Sequence, residues 1–147
     1  MDNNTISTGN CGEYFVAAEL ERRGYTVAIP MSNVEDFDIL AINRKTHKQI
    51  AVQIKTNKTE KKFWMLKKRN EELVGENVYY VFVILNGLNN PEYHIVPSTI
   101  VSNSIKEQYI KWLEAPGKNG QQHNDSTIRK FYDIDDLYLD NWEALEK

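Results

Sequence analysis

One stretch decides the fold of this chain: Asp36-Phe37-Asp38-Ile39-Leu40-Ala41-Ile42, the turn Asn43-Arg44-Lys45-Thr46-His47-Lys48, and Gln49-Ile50-Ala51-Val52-Gln53-Ile54-Lys55-Thr56. Its first and last parts have the alternation of a β-strand, in which successive side chains point to opposite faces of the sheet. The short connection favours two neighbouring strands, predicted over about residues 36–42 and 49–56.

The strand predicted over residues 49–56 has an apolar face and a polar face. A period of two places alternate residues on opposite sides of a sheet. One face therefore carries Ile50, Val52 and Ile54, whereas the other carries Ala51, Gln53 and Lys55.

Asp38 is the unusual residue of the stretch, because it interrupts the apolar run from Phe37 to Ala41. Strands disfavour a charge in such a position, and an isolated buried carboxylate is costly unless a metal or a cation accompanies it. If the two strands are neighbours, Asp38, Gln53 and Lys55 converge on one spot. Carboxylate and amide oxygens suit Mg²⁺, which fills its shell with water and phosphate. A lysine beside the ion can position water or stabilise charge on the phosphate.

The remaining elements complete a mixed α/β pattern. Helical apolar spacing predicts a first helix from about Asn10 to Arg23, closed by Gly24. The other predicted elements are strands over 25–29, 78–85, 93–96 and 129–134, a short strand or helix start over 63–66, a loop over 30–34, and helices through Leu73, over about 97–115 and over about 135–145. The order αβββ, then αβ, then accessories indicates one mixed sheet flanked by helices, with helical accessories at its C-terminal end.

Length and composition set the class of protein. The chain has 147 residues, 41% of them hydrophobic and 11% aromatic, which suffices for the core of one domain spanning residues 1–147 and excludes a disordered or fibrous chain. No apolar run approaches the roughly 18 residues of a membrane span, and the polar start lacks a signal-peptide pattern. Cys11 is the only cysteine, so the chain has no internal disulfide or thiolate zinc site, and a cytoplasmic location away from membranes is expected.

Charge is spread unevenly, although the net charge is only -3. Residues 44–69 hold ten basic side chains and one acid, whereas residues 133–146 hold six acids and no base. A basic run is commonly a solvated surface, but this one adjoins the Asp38 and Lys55 motif and could face phosphates. The predicted nucleic-acid contacts are Lys58, Lys61, Lys62, Lys67, Lys68 and Arg69.

The chain resembles the PD-(D/E)xK nuclease superfamily, which includes restriction endonucleases, archaeal Holliday-junction resolvases and some homing endonucleases. The resemblance covers about residues 8–97 and implies a restriction endonuclease-like αβββαβ core, with an accessory region over about 98–147. The motifs that carry it are Gly12-Glu13 through Gly24-Tyr25, Asp38-Ile39-Leu40-Ala41 and Val52-Gln53-Ile54-Lys55-Thr56.

Roles follow from the resemblance position by position. Asp38 would be the central metal ligand, Lys55 the catalytic lysine and Glu13 an auxiliary acid from the first helix. Gln53 departs from the pattern, because the family most often has Glu or Asp there. A neutral amide can still coordinate a metal through its oxygen, but the site loses a negative charge and metal affinity should fall.

Simpler interpretations of these residues stay open. Asn10 to Glu13 has the spacing of a helix capping box, and Asp38 with Lys55 could form an ordinary cross-strand ion pair. Asp36 is the reserve carboxylate of the site.

Several other polar and aromatic residues favour structural roles. No two histidines have helical metal spacing, so each is interpreted as a turn or surface residue. Asp133, Asp135 and Asp136 lack the spacing of a calcium loop. The tryptophans are expected in the core or against helices, although Trp64 lies among lysines and could stack on a base. The histidines are His47, His94 and His123, and the tryptophans are Trp64, Trp112 and Trp142.

The leading hypothesis is a nuclease that hydrolyses phosphodiester bonds in DNA, with Mg²⁺ or Mn²⁺ held by Asp38, Gln53 and Glu13. The alternative is a catalytically inactive module of the same fold that binds nucleic acid or a protein partner. Relatives that cut duplexes as dimers make a homodimer an expectation by analogy.

Overall fold

The computed structural model describes residues 4–31 and 36–147. Most of the predicted loop over 30–34 lies outside these residues. In chain order the elements are α1 (Thr5–Arg22), β1 (Tyr25–Ala28), β2 (Ile39–Asn43), β3 (Gln49–Asn57), β4 (Phe63–Lys67), a 3₁₀ helix (Lys68–Glu71), β5 (Val78–Ile84), β6 (Glu92–Pro97), α2 (Ser98–Glu114), β7 (Ile128–Tyr132) and a second 3₁₀ helix (Trp142–Glu146).

The described strands form a five-stranded mixed sheet, in the order β1-β2-β3-β5-β6, and a two-stranded sheet of β4 and β7. β3 pairs with β2 antiparallel and with β5 parallel, so it lies at the centre of the larger sheet. This mixed sheet, flanked by two helices, is a restriction endonuclease-like fold, as the sequence predicts.

Two hydrophobic clusters cover opposite faces of the large sheet. The cluster on the α1 side contains the apolar face of β3, namely Ile50, Val52 and Ile54, as the alternation predicts. The opposite side packs β5 against α2 and the small sheet. Residues far along the chain enter both clusters, Trp142 on the first side and Phe131 on the second.

Helix α1 begins earlier than the sequence predicts. Asn4 is its N-cap, and its side-chain oxygen accepts hydrogen bonds from the backbone N–H groups of Ile6 and Ser7. Glu13 is therefore in the middle of the helix, and the proposed Asn10–Glu13 capping box is wrong. The predicted end is confirmed, because Gly24 follows the helix with a left-handed φ of 98°.

Two other predicted elements differ in detail. The helix predicted through Leu73 is one 3₁₀ turn at Lys68–Glu71 that follows strand β4. The predicted final helix shortens to the 3₁₀ helix Trp142–Glu146, after a turn containing left-handed residues Asp136 and Asp140. Within the described residues, no helix combines the length and the apolar character needed to cross a membrane.

Candidate active site

Asp38 lies immediately before β2, where the chain joins the central strand. Its backbone N–H donates to the Val52 carbonyl, at 2.9 Å. Its carboxylate oxygen Oδ2 accepts a 2.7 Å hydrogen bond from the backbone N–H of Ile54. Burial raises the pKa of Asp38, while the Ile54 N–H and the positive charge of Lys55 partly offset that rise. The fold thus holds this carboxylate firmly against β3 in a place that disfavours its charge.

Gln53 lies on β3 between Val52 and Ile54, the two residues whose backbone groups form hydrogen bonds with Asp38. Its residue is only 6% exposed, and its amide oxygen Oε1 is buried without a hydrogen-bond partner. An unsatisfied buried acceptor costs about 1–3 kcal/mol. A cation bound between Gln53 and Asp38 would remove that cost.

Glu13 approaches the same place from α1. Burial and the negative charge of Asp38 both raise the pKa of Glu13, so the two carboxylates are close enough to repel each other. The approach depends on Gly12, because a Cβ at that position would lie 1.8 Å from Oγ1 of Thr56 on β3. The glycine lets the helix backbone lie directly on the strand that carries Gln53 and Lys55.

Lys55 is the positive group of the site. Burial lowers its pKa, the negative charge of Asp38 opposes that change, and the positive charges of Arg69 and Lys67 add to it. The ion pairs of the described residues do not include an Asp38–Lys55 pair. The simple cross-strand ion pair is therefore not formed, although the two charges interact.

Tyr80 and Asn70 fix the position of the basic 3₁₀ turn, and the sequence patterns did not indicate either residue. Tyr80 pairs with Gln53 in the parallel register of β3 and β5. Its hydroxyl accepts a 3.0 Å hydrogen bond from the Asn70 side chain, and burial raises the pKa of Tyr80 to about 12. The neutral phenol thereby anchors the turn that carries Arg69, whose charge reaches both Tyr80 and Lys55.

The predicted phosphate-binding residues fall into separate groups. Lys67 and Arg69 lie near Lys55, whereas Lys68 lies near Asp125. Lys62 pairs with Asp136, with Nζ 2.5 Å from Oδ1. Lys58 and Lys61 are exposed in the segment after β3. A cleft of about 360 Å³ opens between this segment and β4, lined in part by Lys55, Thr56, Asn57, Thr59 and Lys61.

Asp36, the reserve carboxylate, is exposed, and its charge reaches Tyr80. It lies outside β2, which begins at Ile39 rather than at residue 36.

Most of the structural interpretations of the aromatic and histidine residues are confirmed. Trp64 is 3% exposed and donates its indole N–H to the Val83 carbonyl at 3.0 Å, so its suggested role in base stacking is wrong. Trp142 is buried, and Trp112 stacks on His123. His47 lies in a turn. His94 is the exception, because it is fully buried rather than at the surface.

Comparison with known proteins agrees with this fold. The chain belongs to the PD-(D/E)XK endonuclease family, whose model matches residues 3–133. Nucleases of this family use divalent metals. A comparison with curated protein sequences finds no significant match.

Two solved structures share the fold. One is Hjc, a Holliday junction resolvase from the archaeal hyperthermophile Archaeoglobus fulgidus, with 15% identity and a TM-score of 0.51 over 85% of this chain and 84% of that protein. The other is a bacterial homing endonuclease, with 12% identity and a TM-score of 0.58 over 99% of this chain and 94% of that protein. At these identities the likeness shows a common fold.

The residues at the site fit a hard divalent cation. Asp38 and Glu13 supply carboxylates, and Gln53 supplies a buried amide oxygen with no other partner. Such oxygens, few in number, are what Mg²⁺ takes from proteins. Because the negative charge of Asp38 raises the pKa of Glu13, a cation between the two carboxylates would relieve their repulsion.

Proposed function

We propose that this protein is a Mg²⁺- or Mn²⁺-dependent endonuclease that hydrolyses phosphodiester bonds in DNA. The observation that carries the proposal is the buried, unpartnered Oε1 of Gln53 on the strand whose backbone bonds to Asp38, together with the raised pKa values of Asp38 and Glu13. Membership of an endonuclease family supports the same activity.

Each side chain has a definite part in the proposed reaction. Asp38 and Gln53 would hold the metal, with Glu13 assisting from α1. The bound metal would supply a more acidic water and stabilise charge on the phosphate. Lys55 would hold the attacking water or a phosphate oxygen. Its pKa is lowered by burial and by two basic neighbours, so at a given pH a larger fraction of Lys55 than of an exposed lysine is neutral and able to accept a proton.

Lys67 and Arg69 would bind the backbone phosphates that flank the scissile bond, since their charges already reach Lys55. The cleft beside Lys55 offers room for the strand, with Lys61 on its wall. Phosphate contacts position a nucleic acid without reading its sequence.

The decisive experiment is cleavage of single-stranded, duplex and branched DNA with Mg²⁺ or Mn²⁺, comparing wild type with Asp38→Ala and Lys55→Ala. We expect metal-dependent cutting by wild type and a loss of at least about 10²- to 10³-fold in each variant, the equivalent of several kcal/mol of transition-state stabilisation. Lys45→Ala, in the turn at the far end of the β2–β3 hairpin, should cut like wild type. Cutting that persists in Asp38→Ala would place the chemistry elsewhere.

A second candidate is a nuclease-fold module that binds DNA without cutting it, and the neutral amide of Gln53 favours it. Salt-sensitive binding without metal, together with no cleavage of any of the three substrates, would select this function. A homodimer, which could place two sites on a duplex, stays a prediction that sedimentation analysis can check.

A further inference from the structure

A second cluster of metal-ligating side chains lies on β6 and the turn that follows β7. It consists of Glu92, His94 and Asp136, whose nearest ligand atoms all lie within 4.8 Å of one another. The alternation argument does not reveal it, because Asp136 is distant in sequence from the two residues on β6.

The histidine is oriented by a buried carboxylate. Nδ1 of His94 lies 2.6 Å from Oδ2 of Asp133, which is itself 3% exposed. Asp133 also accepts backbone N–H groups from Leu137 at 2.8 Å and Tyr138 at 3.0 Å. An acceptor held in this way selects the tautomer with its proton on Nδ1, so the lone pair of Nε2 is directed away from Asp133.

The other ring nitrogen of His94, Nε2, faces a carboxylate oxygen of Glu92. Nε2 lies 3.7 Å from Oε2 of Glu92, and both atoms are buried without a hydrogen-bond partner. His94 is 0% exposed. Two buried acceptors facing each other at this distance repel unless a cation lies between them.

Asp136 supplies the third ligand. Its Oδ1 accepts a 2.5 Å hydrogen bond from Lys62, whose positive charge also lies near Glu92 and Asp133 and would have to share these carboxylates with a metal. Asp136 has a left-handed φ of 56° within the turn after Asp133, and this turn brings its carboxylate to β6.

We propose that Glu92, His94 and Asp136 bind a divalent transition-metal ion such as Zn²⁺, at a site separate from the nuclease site. Imidazole nitrogen and carboxylate oxygen are both ligands that Zn²⁺ accepts in proteins. Zinc bonds of about 2.0–2.1 Å imply neighbouring ligands roughly 3.4 Å apart, so the 3.7 Å pair needs little movement. Asp133 acts as the outer partner that orients a metal-binding histidine.

The register of the sheet separates the two sites. His94 pairs with Phe82, and Phe82 pairs with Lys55. The cluster is therefore two strands from Lys55, roughly 10 Å across the sheet, with the buried Phe82 ring between them. A metal there would join β6 to the turn after β7.

Calorimetric titration of the metal-free protein with Zn²⁺ tests this site. We expect a zinc site in wild type that is retained in Asp38→Ala, which removes a ligand of the proposed nuclease site, and in His47→Gln, which removes an exposed histidine of a turn. Glu92→Gln, which preserves side-chain size, should weaken binding at least about tenfold, and His94→Gln should abolish it. Equal zinc binding by wild type and Glu92→Gln would overturn the proposal, as would loss of the site in Asp38→Ala.

Nitrogen NMR of the wild-type histidine rings tests the same site without any variant. We expect the Nε2 resonance of His94 to shift on addition of one equivalent of Zn²⁺, with Nδ1 still protonated. A His94 ring protonated on both nitrogens and unchanged by zinc would mean that it forms an ion pair with Asp133 and Glu92, and the site would be rejected.

Discussion

Gln53 has a neutral amide at the one position where this chain departs from the usual acidic pattern. The amide oxygen is buried and has no hydrogen-bond partner, so a metal would gain a ligand there but no additional negative charge. The substitution Gln53→Glu tests how much that charge matters. We expect it to tighten Mg²⁺ binding at least roughly tenfold, because the added negative charge attracts the ion and the cost of desolvating the new carboxylate offsets only part of that attraction.

Gln53→Met is the matched control, since it keeps the side-chain length but removes the oxygen. It should weaken Mg²⁺ binding below that of wild type, as measured by calorimetry. If all three proteins bind Mg²⁺ equally, Gln53 is not a ligand and the carboxylates of α1 and β2 hold the ion without it.

The raised pKa values of Asp38 and Glu13 predict a pH dependence with a definite sign. In the metal-free fold these groups hold their protons more tightly than in the unfolded chain. Their contribution to stability is therefore lost as the pH rises from the unfolded pKa through the raised folded pKa. Mg²⁺ binds only the ionised carboxylates, so its effect grows over the same interval.

We expect saturating Mg²⁺ to raise the melting temperature more at about pH 8 than at about pH 5. Asp38→Asn should show little Mg²⁺ effect at either pH. Without metal it should be as stable as wild type at neutral pH or more so, by no more than about 1 kcal/mol, because solvent still screens this partly exposed charge. A Mg²⁺ effect independent of pH would contradict the assignment of these carboxylates.

Helix α1 depends on a glycine at its contact with β3. A Cβ on Gly12 would lie 1.8 Å from Oγ1 and 2.9 Å from Cβ of Thr56, so Gly12→Ala must push the helix away from the strand. We expect a loss of about 1–3 kcal/mol in the free energy of unfolding. Metal affinity should fall as well, because Glu13 moves with the helix.

Gly9→Ala separates this contact from a general effect of glycine in a helix. No atom lies within 4 Å of a Cβ built on Gly9, so that variant should be stabilised by about 0.5–1 kcal/mol. Urea denaturation measures both changes. A neutral or stabilising Gly12→Ala would mean that α1 does not lie as close to β3 as described.

The elements also show which features a single sequence can predict. The alternation along β3 gave the correct faces, because one face packs on α1 and the other carries polar groups. The sequence predicts the start of α1 too late because Gly9 and Gly12 weaken the helical pattern, whereas the N-cap, Asn4, precedes both glycines. The sequence predicts a helix where the structure has the 3₁₀ turn Lys68–Glu71. This turn is held by the hydrogen bond between Asn70 and Tyr80, which joins separate elements and so leaves no mark on local spacing.

The candidate active site, like the elements, is predictable only where its residues are close in sequence. Asp38, Gln53 and Lys55 come from adjacent strands with a short connection, so their convergence could be predicted from local spacing. The cluster of Glu92, His94 and Asp136 joins β6 to a turn formed much later in the chain. Its members meet only through tertiary packing, and a lone histidine in an apolar strand gives no sign of a distant carboxylate.

At the scale of the whole molecule, the folded chain should bind DNA through a few local charges. The basic segment is not one uniform surface, because Lys62 is paired with Asp136, whereas Lys67 and Arg69 are close enough to Lys55 for their charges to lower its pKa. With the net charge at -3, overall attraction to DNA is weak. DNA binding should therefore depend on the few basic residues around Lys55. The salt dependence of the affinity should report how many of them contact phosphates.

We expect the slope of log affinity against log salt concentration to fall by about 0.9 for each phosphate contact removed from duplex DNA. Lys67→Ala and Arg69→Ala should each lower the slope by about that amount, whereas Lys62→Ala should change it far less because its charge is already neutralised by Asp136. Lys45→Ala, at the far end of the β2–β3 hairpin, is the control that should leave the slope unchanged. Fluorescence anisotropy with Asp38→Ala as the background measures binding without cleavage. Equal losses for Lys45, Lys67 and Arg69 would mean that DNA senses only the average charge of the protein, and the cleft beside Lys55 would not be its binding site.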